Sequence, residues 1–416
     1  MQREILHADM NSCFASIEQA KDPSLRNKAI AVCGSTEERH GIVLAKSQEA
    51  KLKGVKTGEV IWMAKQKCPE LIIVPPDYPS YVAYSEKARR IYREYSRRVE
   101  SFGLDECWLD VSGTKRLFGG GEAIAKELRA RFKEELGISL SIGISYNKIF
   151  AKLGSDYKKP DAQTLISPDN YRDLVWPLPV RQLLFVGPAT GAKLNKYGIW
   201  TIGDLARSPE DFLQSLLGIN GRRLWAFANG YDITPVADYD YRMPVKSVGR
   251  GRTFPRDLKT AEEVFLCLLT LAQEVTRRLI NHRLAARAVH VDIRGSDLRH
   301  TGCLGKLTYP TQNSAELARC GFQSFLTTWN WSLNIRSLTI RAEQLTPSYD
   351  LVQTELFTDY IHHEKQENLA LAIHQIREKF GKYSVNYACI HNFSLAGSEG
   401  PPSTLPTNQF AALGSL

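Results

Sequence analysis

The sequence has no CxxC pair, although it contains eight cysteines, most of them among apolar residues. This pattern excludes a CxxC-type motif and is typical of reduced core thiols in a reducing cytosol. The sequence also lacks a run of about 20 apolar residues, so no membrane-spanning helix is predicted. Charges within its first four residues interrupt any apolar run of signal-peptide length. We therefore expect a soluble, cytoplasmic protein without a membrane partner.

The length and the charge of the chain are the next constraints. A chain of 416 residues exceeds what one hydrophobic core usually supports, which predicts two to four domains of roughly 50 to 200 residues each. The net charge of +9 comes from basic residues spread along the whole chain. Such a surplus suits a polyanionic partner, nucleic acid above all, although many basic proteins bind none.

The first third of the chain predicts an α+β domain. Hydrophobic patterns alternate in the order strand, helix, strand, strand, helix, strand, at residues 4–10, 81–97, 99–102, 106–112, 121–136 and 139–145. This order matches the ferredoxin-like βαββαβ motif, with residues 15–77 inserted after the first strand.

Two further regions follow. Residues 166–233 contain helical stretches separated by glycine turns, a pattern typical of helix-hairpin-helix DNA binding, in which helix N-termini hold phosphates. Residues 246–345 alternate between strand and helix patterns and predict an α+β module. We therefore expect a multidomain α+β protein.

Three acidic residues lie at the ends of strands predicted for this first domain. Asp9 ends the first strand, and Asp105 and Glu106 follow a turn at Gly103 that joins the next two. Consecutive side chains of a regular strand point to opposite faces, but the turn removes that obstacle. In a βαββαβ sheet the first strand lies beside this hairpin, so the three carboxylates should meet.

Carboxylates packed together repel one another unless a cation neutralises them, and all-oxygen ligation favours Mg²⁺ over zinc. Two such ions about 3.5 to 4 Å apart can activate a hydroxyl and neutralise a leaving pyrophosphate. The alternative interpretation is structural: Asp105 and Glu106 would cap a surface turn, and Asp9 would merely end a strand.

Four segments carry a more specific signal. They are HADMNSCFASIE (7–18), GLDECWLD (103–110), GISYNKIFAKLGSDYKKPD (143–161) and KSVGRGRTF (246–254). In this order and at these intervals they resemble the signatures of bacterial Y-family translesion DNA polymerases, and the resemblance extends over residues 1–345. It implies template-directed DNA synthesis from dNTPs on primer-template DNA, with low fidelity, no proofreading and a role in DNA repair.

The resemblance also implies a domain organisation like that of a right hand. Its parts are a palm (1–14 and 78–165), small fingers (15–77), a helix-hairpin-helix thumb (166–233), a linker (234–245) and a little finger (246–345). Residues 346–393 would form a C-terminal extension. The last segment, 394–416, is rich in Gly, Pro, Ser and Thr and is expected to be disordered.

The site residues implied by the resemblance begin with the catalytic carboxylates. Asp9, Asp105 and Glu106, with the Met10 carbonyl, would hold two Mg²⁺ ions, for which Mn²⁺ could substitute. Phe14 would exclude a ribose 2′-hydroxyl; read without the resemblance, it is a core residue of a helix.

Other residues would bind the incoming nucleotide. These are Cys13, Gln48, Lys51 and Lys159; without the resemblance, the lysines near position 159 would be an ordinary solvated basic face. Gln48 and Lys51 stand where the family usually has a tyrosine and an arginine, and lysine lacks the bidentate guanidinium fork. Gly103 replaces a usual serine.

Contacts with DNA and with a protein partner complete the expectations. Gly187 and Lys193 would bind backbone phosphates, although Phe185 replaces the first hairpin glycine. Arg250, Arg252 and Arg294 would lie along phosphates, unless they form a solvated strand face. QTELF resembles the peptide by which bacterial polymerases bind the sliding clamp, with Gln353, Leu356 and Phe357 as its key residues; it could equally be a turn before a helix.

Two other function classes are weighed against the polymerase. A basic DNA-binding module that has lost its activity would not need the intact acidic set. A nucleotide cyclase on the same palm fold would carry a Gly-Gly-acidic hairpin, which this sequence lacks, and would have no use for the DNA-gripping sequence that follows. We expect a monomeric polymerase.

Overall fold

The computed structural model describes residues 3–37, 39, 41–350 and 360–391. The described residues divide into two compact units, one containing residues up to 34 and 42–242, the other containing 35–41 and the described residues from 243 to 391. All eight cysteines are free thiols. None of the helices in the described part of the chain is both long and apolar enough to cross a membrane.

The described residues of the first unit form eight strands and twelve α-helices. The strands are β1 (Ile5–Met10), β2 (Ile30–Cys33), β3 (Val43–Lys46), β4 (Ile72–Val74), β5 (Val99–Ser101), β6 (Glu106–Asp110), β7 (Leu140–Ser145) and β8 (Gln163–Ile166). The helices are α1 (Cys13–Lys21), α2 (Gln48–Leu52), α3 (Ile61–Lys67), α4 (Tyr78–Tyr95), α5 (Lys115–Phe118), α6 (Gly121–Arg131), α7 (Lys148–Tyr157), α8 (Tyr171–Leu174), α9 (Pro188–Asn195), α10 (Ile202–Arg207), α11 (Glu210–Leu217) and α12 (Ile219–Ala228).

The larger sheet of this unit has the strand order β5-β6-β1-β7-β8. Strand β1 is antiparallel to both β6 and β7, and all six of its residues are buried. With α4 and α6 as the crossover helices, this is the ferredoxin-like βαββαβ arrangement, so the predicted fold class is confirmed. The fifth strand, β8, pairs in parallel with β7 and was not expected from the sequence.

Helix α7 lies directly against β7 because two glycines allow a close backbone approach. A Cβ atom on Gly143 would lie 1.9 Å from the carbonyl oxygen of Ala151, and one on Gly154 would lie 3.0 Å from the Cα atom of Gly143. The helix begins at Asn147, whose side chain accepts a hydrogen bond from the Phe150 N–H at 2.7 Å. Its side chains are therefore held close to the middle of the sheet.

The rest of the first unit consists of a small sheet and a helical region. The small sheet has the order β3-β2-β4 and packs with α2 and α3 around its own core, within the segment predicted as fingers. Helices α8 to α12 form another core within the segment predicted as thumb. The domain boundaries drawn from the sequence stay predictions.

The second unit is built on one four-stranded sheet. Its elements are β9 (Val248–Leu258), α13 (Ala261–His282), β10 (Leu284–Gly295), β11 (His300–Thr311), α14 (Ser314–Thr328), β12 (Ile335–Pro347), α15 (Tyr360–Phe380) and α16 (Ala388–His391). The strand order is β11-β10-β12-β9. Helices α13 and α14 pack on one face of this sheet and form the core with it. A capping box of Thr260 and Glu263 fixes the start of α13.

Candidate active site

Three acidic residues meet at one end of the larger sheet of the first unit. Asp9 and Glu106 are register partners in the antiparallel pair of β1 and β6. Asp105 lies in the turn before β6, where Gly103 adopts a φ of +92°, a conformation that favours glycine. The Met10 N–H donates a hydrogen bond to the Asp105 carbonyl at 3.0 Å. The turn thus frees Asp105 from strand alternation, as the sequence predicted.

The carboxylates of this cluster disturb one another's protonation. Burial, followed by the charges of Asp9 and Glu106, raises the pKa of Asp105 from 3.8 to about 7. Burial and the neighbouring Glu106 raise the pKa of Asp9 as well, against the opposing effect of two lysines. The cluster therefore holds more negative charge than its surroundings stabilise.

Lys152 and Lys159 supply the compensating charge from the direction of α7. The Lys159 ammonium lies 2.6 Å from Asp9 Oδ2, and the Lys152 ammonium lies 3.0 Å from Glu106 Oε1. Both ammonium groups also pair with Asp156, at 2.5 and 3.1 Å. Burial disfavours the charge on Lys152, but the carboxylates of Glu106 and Asp9 outweigh burial and raise its pKa. In the sequence, Lys152 stands out only as a member of the segment 143–161 that carries the family resemblance.

His7 is a member of the site that the sequence interpretation missed. Its side chain is fully buried, and its Nδ1 atom lies 2.8 Å from the Ser155 hydroxyl, which donates to the Lys152 carbonyl at 2.8 Å. The hydroxyl donates its single proton to the Lys152 carbonyl, so the hydrogen between Ser155 and His7 must be on Nδ1. The Nε2 atom of His7 then carries no hydrogen and can only accept a hydrogen bond. Burial, followed by the charge of Lys152, lowers the pKa of His7, so the ring is neutral. The sequence contains a signal for His7, because residues two apart in a strand point to the same face and His7 therefore lies on the same face as Asp9.

The oxygen atoms of the cluster fit a divalent cation. The Glu106 Oε2 atom is buried without a hydrogen-bond donor, and it faces the His7 Nε2 acceptor at 3.4 Å. An all-oxygen set with excess negative charge is the chemistry that Mg²⁺ and Mn²⁺ prefer. The three carboxylates and the Met10 carbonyl are thus suitable ligands.

The ligand oxygens of Asp9, Asp105 and Glu106 are too far apart to surround one ion. Among the described residues, one group of three His, Cys, Asp or Glu residues has ligand atoms that all lie within 4.8 Å of one another. It consists of Glu316, His363 and Glu367 in the second unit. Glu367 there accepts hydrogen bonds from Thr311 and from the Gln312 N–H, which explains its position structurally. A site shared by two ions is naturally wider than a single-ion cage.

The raised pKa of Asp105 predicts a pH-dependent stability of the metal-free protein. A carboxyl whose pKa rises on folding stabilises the folded state below its unfolded value near 3.8, and this contribution is lost as the pH rises through about 7. Asp105→Asn should therefore gain little stability over the wild type near pH 4, and its advantage should grow between about pH 4 and 7 and be complete at pH 8. The expected gain is on the order of 2 to 4 kcal/mol. Thermal or urea unfolding in the presence of EDTA at several pH values measures it.

Magnesium provides the control for this comparison. At pH 8, Mg²⁺ should stabilise the wild type and bring it close to the asparagine variant, which should respond less. Equal unfolding midpoints for the two proteins at every pH would contradict a buried, repelled carboxylate at position 105.

Phe14 and Cys13 lie at the beginning of α1, next to the carboxylates. The Phe14 ring is half-buried and stacks on Tyr81, with 4.2 Å between ring centroids and an interplanar angle of 8°. It also meets Tyr78 edge-on. The Cys13 thiol is buried, and burial together with the charges of Asp105 and Asp9 raises its pKa. Any contact of Cys13 with a nucleotide would therefore come from its backbone.

The two unusual residues of the small sheet region lie on α2. The Gln48 amide donates a hydrogen bond to the Ser12 hydroxyl at 3.0 Å, which ties it to the turn before Cys13. Lys51 is exposed. The structure thus places Gln48 beside the beginning of α1, and the predicted role of both residues in nucleotide binding stays a prediction.

The predicted phosphate contacts of the thumb segment lie on α9. Gly187 is the N-cap of this helix, in an extended conformation. Lys193 is exposed and donates a hydrogen bond to the Leu216 carbonyl at 2.6 Å, so its ammonium is also engaged within this segment. Their contacts with DNA stay predictions.

The three arginines predicted to lie along phosphates do not form one row. Arg250 and Arg252 are register partners of Ile340 and Leu338, whose side chains are buried on the helix-covered face of the second unit's sheet. Arg294 is the partner of Ser337, the residue next to Leu338 in β12. Because neighbouring side chains in a strand alternate, Arg294 points to the face of the sheet that α13 and α14 do not cover. The register therefore separates Arg294 from the other two.

Two further predictions fall outside the described residues. The clamp-binding peptide with Gln353, Leu356 and Phe357 lies within 351–359, and the tail at 394–416 lies beyond residue 391. Nothing in the structure bears on either of them.

Comparison with known proteins gives consistent matches along the chain. The model of the impB/mucB/samB family matches residues 8–156, and that of the family's C-terminal domain matches residues 245–356. The chain is 48% identical to DNA polymerase IV of Acetivibrio thermocellus over 92% of this chain and 96% of that protein. It is 35% identical to DNA polymerase IV 2 of Bacillus subtilis over 92% of this chain and 93% of that protein.

A solved structure shows the same fold. It is a chimera of the Y-family DNA polymerases Dbh and Dpo4, with a TM-score of 0.72 and 22% sequence identity, and the match covers 82% of this chain and 98% of that one. At this identity the likeness concerns the fold alone. It agrees with the α+β architecture built on a ferredoxin-like sheet.

Proposed function

The chain belongs to the impB/mucB/samB family and is a Y-family DNA-directed DNA polymerase, and from this premise we propose how its residues carry out translesion DNA synthesis. In the proposed reaction the primer 3′-hydroxyl attacks the α-phosphate of a dNTP paired with the template, and pyrophosphate leaves. The observation that carries the proposal is the convergence of Asp9, Asp105 and Glu106 at one end of the sheet.

Divalent cations are part of this chemistry in a Y-family polymerase. Asp9, Asp105 and Glu106, with the Met10 carbonyl, would hold two Mg²⁺ ions, for which Mn²⁺ could substitute. When bound, the cations would increase the acidity of the primer hydroxyl and neutralise charge on the phosphates. This assignment is supported by the raised pKa values of two of the carboxylates and by the unpartnered Glu106 oxygen.

Two lysines of the α7 region would take part in charge compensation. In the structure Lys152 and Lys159 neutralise the carboxylates directly. An arriving triphosphate would offer Lys159 additional anionic oxygens, so we propose that its ammonium shifts from Asp9 toward the triphosphate. Lys152, more deeply buried beside Glu106 and Asp156, would stay with the protein.

The neighbouring residues would select and hold the substrates. Phe14 would exclude a ribose 2′-hydroxyl, and Gln48 and Lys51 would approach the triphosphate from α2. Gly187 and Lys193 of the predicted thumb would bind the DNA backbone. In the predicted little finger, Arg294 would meet phosphates on the open face of the sheet, whereas Arg250 and Arg252 could reach phosphates only past the edge strand β9. We further propose a monomeric cytoplasmic enzyme that binds a sliding clamp through Gln353, Leu356 and Phe357.

His7 is proposed as a positioning residue for Glu106. Its neutral ring fills the space between Ser155 and the Glu106 carboxylate, so it limits where that carboxylate can turn. His7→Ala should lower kcat for nucleotide addition roughly 10- to 100-fold, because small misplacements in an active site are costly. The Michaelis constant for dNTP and the affinity for DNA should change little. Primer extension at saturating DNA and varied dNTP measures kcat and the Michaelis constant, and a DNA titration measures the affinity.

A matched variant distinguishes positioning from simple loss of packing. His7→Asn retains an N–H donor near the position of Nδ1, so it should keep the bond to Ser155 and recover part of the rate. If the asparagine and alanine variants are equally slow, or if only the Michaelis constant for dNTP changes, His7 does not act by positioning Glu106.

Primer extension on damaged templates tests the proposed function. We expect the protein to extend a primer opposite an undamaged base with the paired dNTP, and also past an abasic site or a bulky guanine adduct, with each dNTP offered alone. No shortening of the primer should occur without dNTP. A protein that copies undamaged DNA but stops at every lesion would refute the translesion part of the proposal.

A further inference from the structure

A pocket rich in arginine lies on α4, away from the carboxylates. It is lined by Glu86, Arg89, Arg90 and Arg93 of the helix and by Arg242, and we call it the arginine pocket. Four guanidinium groups face one carboxylate around it. The cavity of about 260 Å³ is smaller than the roughly 300 to 1,000 Å³ of sites that enclose a small molecule. Its size suits single phosphate groups of a longer chain.

The pocket and the carboxylate cluster lie on opposite faces of the sheet. Asp9 and Glu106 lie on the face from which Lys152 of α7 reaches them. Their neighbours Ala8 and Cys107 point to the other face, into the core formed with α4. A phosphate bound at the carboxylates therefore cannot occupy the arginine pocket, which is a separate site.

The arginines are held in place by the protein. Arg89 donates hydrogen bonds to the Ser85 hydroxyl at 2.8 Å and to the Ser85 carbonyl at 3.2 Å. Arg242 donates to the carbonyls of Tyr239 and Tyr241 at 3.0 and 3.1 Å. Acceptors of this kind orient a guanidinium without neutralising its charge, so the pocket keeps its positive potential.

Like charges in the pocket act on one another. Burial lowers the pKa of Arg89, and the charges of Arg93 and Arg242 lower it further, against the opposing effects of Cys107 and Glu86. The carboxylates of the adjoining segment lie elsewhere: Asp238 and Asp240 are 4.0 and 3.7 Å from Arg97, beyond the end of α4. An anion is the ligand that would relieve this repulsion.

An aromatic ring lies beside the pocket. The Arg93 guanidinium lies 4.5 Å from the centroid of the Tyr239 ring, a cation–π arrangement. Tyr239 is 40% exposed. Basic groups that follow a backbone, alternating with exposed rings on which bases stack, are typical of surfaces that bind single-stranded nucleic acid without reading its sequence.

The segment that carries the tyrosines is anchored to the first unit. Val236 is buried in a cluster with Ile5 and Trp108, and the Ala237 N–H donates to Glu100 at 2.9 Å. The Tyr239 N–H donates to the Arg97 carbonyl at 3.2 Å. The pocket is therefore formed by a long helix and a fixed segment, and its geometry exists before any ligand arrives.

We propose that the arginine pocket is a second nucleic-acid site, which binds backbone phosphates of single-stranded DNA while Tyr239 stacks on its bases. The proposal rests on the proposed function, because a polymerase that meets stalled templates works beside single strands. Such a site would hold the protein near its template without occupying the carboxylate site. It would raise the local concentration of the enzyme on gapped DNA.

A binding experiment with the DNA-synthesis site already filled tests this proposal. The full chain is saturated with an unlabelled primer-template hairpin that has a short template overhang, and binding of labelled oligo(dT) is followed by fluorescence anisotropy at several salt concentrations. Arg90→Glu with Arg242→Glu should lower the affinity for oligo(dT) at least about 10-fold and flatten its salt dependence, since each lost phosphate contact removes about 0.7 from the logarithmic slope. Extension of the hairpin primer in the absence of oligo(dT) should be unchanged.

Matched variants and a second probe make the result decisive. Arg116→Glu with Lys126→Glu changes the same number of exposed charges on α5 and α6, and should leave oligo(dT) binding intact. Tyr239→Ala should weaken the binding of oligo(dT) but not that of tripolyphosphate. If oligo(dT) does not bind the filled enzyme, or if both double variants weaken it equally, the proposal fails. Binding of tripolyphosphate alone would identify a site for free phosphates and also overturn it.

The outcomes separate this proposal from the proposed function. A chain that extends primers but has no second oligo(dT) site loses only the arginine pocket. A chain that binds oligo(dT) at the pocket but extends no primer loses the polymerase assignment of the carboxylates.

Discussion

Replacing Asp105 and Glu106 together by alanine is expected to abolish primer extension. Both carboxylates are proposed to hold the divalent cations that activate the primer hydroxyl. Glu106 does so from the position opposite Asp9 in the sheet. Loss of a metal site of this kind removes several kcal/mol of transition-state stabilisation, so we expect a decrease of at least about 10⁴-fold. Extension of a labelled primer in the presence of Mg²⁺ and all four dNTPs measures the effect.

Binding to DNA should survive the same change, because the residues proposed to contact the DNA backbone do not include the carboxylates. A fluorescence-anisotropy titration with primer-template DNA checks this point. Glu122→Ala with Glu134→Ala removes two exposed carboxylates from the same unit and should keep full activity. Substantial extension by the Asp105 and Glu106 variant would show that the cations are held elsewhere.

Phe14→Ala is expected to have the second-largest effect, on sugar selectivity. The Phe14 ring is held by its stacking on Tyr81 and its edge contact with Tyr78, and it is proposed to exclude the 2′-hydroxyl. Without the ring, a ribose 2′-hydroxyl would meet no obstacle. We expect the preference for dNTP over the matching ribonucleotide to fall on the order of 100-fold, as measured by the ratio of kcat/KM values.

Phe14→Tyr is the matched variant for this experiment. It keeps an aromatic ring at the same position, so selectivity against ribonucleotides should be retained. The alanine variant also loses packing and is expected to unfold at a lower temperature, which thermal melting records separately. An unchanged sugar preference in the alanine variant would show that another group excludes the 2′-hydroxyl.

The sequence predicted the palm sheet well because its strands alternate regularly and its helices have clear hydrophobic faces. It also located the Gly103 turn, since glycine at a strand joint is a strong local signal. Strand β8 was missed because it is short, Gln163–Ile166, and only half of it is buried. Such a strand is defined by pairing with β7 and not by its own pattern.

The surroundings of the carboxylates were less predictable. Lys152 reaches the cluster because α7 packs directly on β7, and that distance depends on the close approach of Gly143 and Gly154. No local pattern encodes such an approach. Arg250 and Arg252 are a different case: they share strand parity with the buried Val248 and Phe254, so alternation could have assigned them to the helix-covered face.

The central claim is that Asp9, Asp105 and Glu106 together hold two divalent cations for nucleotide transfer. Counting the ions tests it most directly, with Mn²⁺ titrated by electron paramagnetic resonance into the protein bound to a dideoxy-terminated primer-template and the next dNTP. We predict two tightly bound ions per wild-type chain, and fewer in a variant with Asp105→Asn and Glu106→Gln. The same number of tightly bound ions in both proteins would contradict the account.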